Sequence, residues 1–217
     1  MRVFAPICTM LLAASCIPSG GKDPPRRAPD QAAAIPGPSE RETLQCRADL
    51  RSSGIGFRAL PDQRFAGGCS ALGAVQLLEI GTPVANLGAM TCPLARAFAF
   101  WVRDAVQPAA SAHLGSKVTR IESFGTYACR PVNGQAGAKL SEHGRANAVD
   151  IATFVLADGR RIGVASGWNG ENNDARRFLR AVHQAGCRRF RIGLGPDADA
   201  WHRDHLHFDM GQGPYCR

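Results

Sequence analysis

The sequence predicts an α+β domain with a mostly antiparallel sheet and flanking helices, and three observations predict it. Strand-type and helix-type runs follow one another without the regular alternation that builds a parallel sheet. Asp158-Gly159 is a hairpin signal joining two strand-type runs directly. Six cysteines, Cys46, Cys69, Cys92, Cys129, Cys187 and Cys216, lie in the body of the chain, so the domain is expected to be disulfide-stabilised. At 217 residues and 45% hydrophobic content there is material for one good core, not for two catalytic domains.

In chain order, residues 1–15 read as an export signal: Met1-Arg2 is followed by an apolar run over 3–14 that is too short to span a membrane. The junction Ala13-Ala14-Ser15-Cys16 resembles a bacterial lipobox, which implies a lipid on Cys16. Residues 16–45, rich in Pro, Gly and charge, form the lipidated tether, whose coil would span roughly 30 Å. The domain proper is expected over 46–217. Its opening part, to Cys92, is a disulfide-pinned lobe with one good strand at 74–80. Residues 93–114 then read as a helix with Thr91 as cap, Pro93 in the first turn, Trp101 in the core and a kink or split at Pro108. Strands follow at 117–124 and 148–156, the second turning at Asp158-Gly159 into 160–164. Asn172 or Asn173 caps a helix running through His183, read as a surface residue, and ending at Gly186; a strand over 189–194 completes the set. Pairing cysteines by nearness in sequence gives Cys46 with Cys69, Cys92 with Cys129, and Cys187 with Cys216.

Two stretches carry chemistry: Ser141-Glu-His-Gly-Arg-Ala-Asn-Ala-Val-Asp150 and His202-Arg-Asp-His-Leu-His207. Asp150 sits among Val149, Ile151, Phe154 and Val155, an apolar neighbourhood in which a carboxylate needs a partner, and a cation is the simplest one. Seven positions separate His143 from Asp150, so on one strand they would point to opposite faces. His143 therefore belongs in the loop before the strand, where Gly144 eases the bend and the Ser141 hydroxyl can brace it. His207 joins them as the third ligand. Two imidazoles and one carboxylate suit a single zinc, with a fourth position left for water. Two residues compete as general base. On a regular strand over 204–208, His205 shares a face with His207 and Asp204 points away, which favours His205; a bulge would favour Asp204.

These motifs resemble the zinc peptidases of the D-Ala-D-Ala carboxypeptidase and L,D-endopeptidase group. With Tyr127-Ala-Cys-Arg130 and Leu194-Gly-Pro196 they resemble more closely still the bacterial extensin-like C-terminal domain, over residues 46–217. The first resemblance implies a Hedgehog/D-Ala-D-Ala peptidase-like fold and a zinc hydrolase acting on peptidoglycan stem peptides or cross-links. It also implies Arg130 on the substrate's carboxylate or carbonyl oxygen, and His202, at the rim, and Ser141 on the substrate side. Asp204 is similar to a Glu that some members place there, and His205 to the first His of their His-x-His. The wider group usually carries Gly where this chain has Ala146. The lysostaphin-like pattern also ends in His-x-His, but its first pair is His-x(3)-Asp, whereas six residues intervene here.

The formal charge of +8 suits an exported protein meeting anionic wall or lipid. No run of Arg and Lys with interleaved aromatics is present, so nucleic acid is not an expected partner. The expected location is the periplasmic cell envelope, on a membrane anchor at Cys16; the sequence names no protein activator. The competing reading is a non-catalytic, zinc-containing wall-binding or scaffolding lipoprotein.

Overall fold

Ser39 and Glu42 close a reciprocal capping box that starts helix α1 (Glu40–Ser52), and Thr43, Cys46 and Leu50 form its buried stripe. The computed structural model describes residues 37–217 and Met1. The expected export signal, Cys16 and most of the tether lie outside the described residues. Helix α1 takes in residues 40–45, which composition had assigned to the tether; the Ser-x-x-Glu cap is the signal that composition overlooks.

Short strands follow in the lobe: β1 (Gly56–Ala59), β2 (Gln63–Arg64), β3 (Ser70–Ala71), β4 (Ala74–Glu79), β5 (Val84–Ala85) and β6 (Met90–Thr91). The segment expected as one helix over 93–114 is α2 (Cys92–Trp101), a π-helical turn at Val102–Val106 and α3 (Gln107–Leu114). The widened turn lies just ahead of Pro108, which has no N–H to give the ladder. Gly115, at φ 64°, ends the helix. Thr91 makes no side-chain cap; its hydroxyl donates instead to Asn147 Oδ1 at 2.7 Å. Next come β7 (Val118–Gly125), β8 (Ala148–Leu156), β9 (Arg161–Gly163) and the short α4 (Val164–Gly167). Helix α5 (Asn173–Arg189), capped by the Asn172 side chain, runs past Gly186. A Cβ at Gly186 would lie 2.3 Å from the Phe208 ring, so this glycine permits close helix–sheet approach and does not stop the helix. The remaining strands are β10 (Ile192–Leu194), shorter than the expected 189–194, β11 (Leu206–Asp209) and β12 (Tyr215–Cys216).

The main sheet has seven strands in the order β12-β10-β11-β8-β7-β5, with β9 also on β8. It is mixed: β10 with β12 and β5 with β7 are parallel, and the other pairs antiparallel. A smaller sheet orders β1-β4-β6, and β2 pairs β3. Along β8, Val149 and Ile151 are buried, and so are Phe154 and Leu156. The alternation slips by one residue where pairing with β7 shifts register between Glu122 and Ser123, a bulge at Ala152. The core faces the helices. Trp101, as expected, is fully buried there, its indole N–H donating to the Val182 carbonyl at 2.9 Å, among Phe154, Phe190 and Phe208.

All six body cysteines are paired, but two of the three pairings differ from the nearest-neighbour expectation. Cys46 joins Cys92 and Cys69 joins Cys129, while Cys187 joins Cys216 as expected. The first bond ties α1 to the start of α2, and the second ties the lobe to the loop after β7. Packing of α1 on α2 brings together residues that lie far apart in sequence.

Candidate metal centre

Strands β8 and β11 set Asp150 and His207 directly opposite each other as cross-strand partners. Their neighbours Val149, Ile151, Leu206 and Phe208 are buried in the core, so alternation sends Asp150, His207 and Asp209 to the opposite face. His143 comes from the 3-10 turn Glu142–Arg145 just before β8, as its odd spacing from Asp150 requires. The Ser141 hydroxyl accepts the His143 backbone N–H at 3.3 Å and braces that turn. Ala146 closes it in the left-handed region, at φ 54° and ψ 31°, which shows why a glycine suits this position. The turn has no slack underneath, because a Cβ on Gly144 would lie 2.8 Å from Leu140 Cδ1 and 3.2 Å from Cys69 Sγ.

Here His143, Asp150 and His207 bring one donor atom each within 4.8 Å of one another, all three residues buried. His143 Nε2 lies 3.1 Å from Asp150 Oδ2 and 3.3 Å from His207 Nδ1, and His207 Nδ1 lies 2.8 Å from Asp150 Oδ1. The far nitrogens are held from behind. His143 Nδ1 faces the Thr126 carbonyl at 3.3 Å, and His207 Nε2 faces Asp209 Oδ2 at 2.9 Å. Both partners only accept, so both far nitrogens carry hydrogen and the inward ones are the atoms that could hold a metal. Asp209, itself anchored by the Gly211 N–H at 2.8 Å, escaped the sequence reading, although its place two after His207 on a strand was a usable signal. Thr126 acts through its backbone carbonyl, for which a sequence holds no signal.

Charge balances within the cluster. Burial disfavours the Asp150 carboxylate, but hydrogen bonds from His143 and His207 outweigh it and hold the group well below the usual carboxylate range. Burial likewise works against a charged His207, yet Asp150 and Asp209 on its two nitrogens push its pKa up to about 9.

Strand β11 begins only at Leu206, so His205 sits in the turn before it and not on a regular strand over 204–208. Its ring still reaches the centre: Nε2 lies 3.6 Å from Asp150 Oδ1, and Nδ1 lies 2.8 Å from Asp204 Oδ1. The two rival bases are thus one behind the other. His202 is buried, not at the rim, with its ring against those of His205 and His207 and Nδ1 2.8 Å from Asp199 Oδ1. Burial pushes His202 below its ordinary pKa against the pull of Asp199, so it is neutral at pH 7. Exposed Arg130 lines a cleft of about 350 Å³ with Phe124, Tyr127, His143, Asp150, Asp204 and His205. Ser141 is buried beneath the His143 turn and does not line that cleft.

No curated protein and no solved structure matches the chain. The family model described as extensin-like protein C-terminus matches residues 44–217, the lobe and the whole of the candidate centre included, and the chain therefore belongs to that family.

Proposed function

We propose that this protein is an exported zinc-dependent hydrolase of peptidoglycan stem peptides or cross-links, anchored in the periplasmic envelope by lipid on Cys16. The observation that carries the reading is the convergence of His143 Nε2, His207 Nδ1 and the Asp150 carboxylate beside an open cleft that His143 and Asp150 line, with both outer ring nitrogens held by acceptors. Two neutral nitrogens and one carboxylate fit zinc, and a site opening on a cleft fits catalysis better than a closed structural site. The disulfides fit an oxidising compartment.

A zinc ion held there supplies Lewis acidity to the scissile carbonyl and lowers the pKa of water toward ~7. His205 takes the proton of the attacking water at Nε2, while Asp204 accepts from Nδ1–H and fixes that tautomer. The hydroxyl adds to the carbonyl carbon, the C–N bond breaks, and His205 passes the proton to the leaving amine. Arg130, at the cleft mouth, binds a carboxylate or the developing oxyanion. Ser141 and His202 position rings: the one fixes the His143 turn, and the other fills the space behind His205 and His207.

Purified cell walls incubated with the zinc-loaded protein should release new peptide ends on muropeptide analysis. His205→Ala should keep its zinc and lose activity on the order of a hundredfold or more, and Asp204→Asn about tenfold. The reverse ranking would make the carboxylate the base. Walls left unchanged by the intact protein would favour the non-catalytic, wall-binding reading.

A further inference from the structure

The centre lies at one end of a longer open surface. Strand β7 turns Arg120, Glu122 and Phe124 outward, while Ile121 and Ser123 are buried. Phe124 is 60% exposed and stands edge-on to the His205 ring at 5.6 Å. A second trough, of about 470 Å³, runs from there over Ala152, Thr153, Glu122 and Arg120. It shares Phe124 and Asp204 as walls with the cleft at the metal centre, so the two form one path. The bulge at Ala152 puts both Ala152 and Thr153 on its floor.

Charge gives this path a direction. Glu122 is neutralised by a two-pronged bond from Arg161, at 3.0 and 2.6 Å. Arg120 is exposed and, although its charge acts on Glu122, its side chain has no hydrogen-bond partner among the described residues; Arg130 at the other end has none either. An exposed guanidinium therefore lines the cleft at the centre, and another lines the trough that continues from it. The four residue steps from Phe124 to Arg120 span roughly 13 Å, the length of about four residues of an extended peptide. A substrate trimmed of one terminal residue would leave that trough empty.

We propose that the substrate runs past the metal centre along the open face of the sheet to Arg120, so that the bond cut is an interior one in a peptide carrying a carboxylate beyond it. This rests on the hydrolase reading and narrows it to an endopeptidase acting on cross-linked, acidic stem peptides. Arg120 is then a specificity-determining residue that touches no reacting atom.

The test uses two glycan-free substrates, a cross-linked stem-peptide dimer and a stem-peptide monomer, with the intact zinc-loaded protein and its Arg120→Gln variant. The dimer should be cut with a kcat/KM at least tenfold above the monomer. In the variant, KM for the dimer should rise about tenfold with kcat unchanged, as loss of one charge-assisted contact entails. Equal turnover of monomer and dimer, or an unaltered KM in the variant, would overturn the proposal. If the intact protein cuts neither, the hydrolase reading fails, and binding of labelled dimer decides the path alone. Binding weakened about tenfold by Arg120→Gln supports it, and equal binding overturns it.

Discussion

Among the described residues, two clusters bring three potential metal donors within 4.8 Å: His143, Asp150 and His207 on the open face of the sheet, and His183 and Cys187 of α5 with Cys216 of β12. They are opposite in character. In the first, a buried carboxylate supplies negative charge, and each imidazole has an acceptor behind it that turns its lone pair inward. In the second, the sulfurs are consumed in a disulfide, and His183 packs between the rings of Trp168 and Phe208 with Nε2 3.8 Å from Cys187 Sγ. Burial pushes His183 below its ordinary pKa, so it is a neutral core residue and not the surface residue expected from sequence. Proximity of donors does not make a site; charge and the groups behind the donors do.

The sharpest way to break this comparison is to disable each cluster in turn. Asp150→Ala should weaken zinc binding on the order of a thousandfold, while His183→Leu should keep one zinc per molecule by metal analysis of the purified protein. Zinc lost equally in both would erase the distinction. Asp209→Asn keeps the shape but removes the charge behind His207, and competition against a chelator should show affinity falling by about 10- to 100-fold.

Protonation sharpens the contrast further. Without metal, His207 keeps its proton up to about 9, and zinc must displace that proton from Nδ1. Below pH 9 the proton competes, so zinc affinity should fall about tenfold for each unit that pH is lowered. Calorimetry in buffers of different ionisation heat should find at least one proton released at pH 7, the His207 proton plus the share that the bound water gives up. The His183→Leu variant should show the same release.

The smallest effect concerns Ala146. Its left-handed backbone costs about 1–2 kcal/mol, but its methyl is fully buried beside Ala71 and Ala74. Ala146→Gly relieves the one and loses the other, worth about 0.8 kcal/mol, so denaturant titration should place the variant within about 1 kcal/mol of the parent.

What was legible in the sequence was whatever obeys a local period. The odd spacing of His143 and Asp150 implied a loop followed by a strand. The alternation Leu206-His207-Phe208 implied a half-buried strand, and Trp101 fell on an apolar helical stripe. What was not legible depends on parts of the chain that meet only after folding. Cys46 finds Cys92 because α1 lies along α2, the Thr126 carbonyl reaches His143 from another loop, and Gly186 seats α5 on Phe208 where a glycine ordinarily signals a helix end. His205 shows both sides: its ring does come within 3.6 Å of Asp150, but from a turn and not from the strand geometry that suggested it.

The closeness of Gly144 to the Cys69 sulfur couples the candidate centre to the redox state of the chain. The turn that presents His143 leans on one half of the Cys69–Cys129 bond, and the other half holds the loop bearing Arg130. In a reducing compartment that wall is two separate thiols, free to part, and the turn has nothing firm to rest on. Reduction of the Cys69–Cys129 bond should therefore loosen the turn that presents His143.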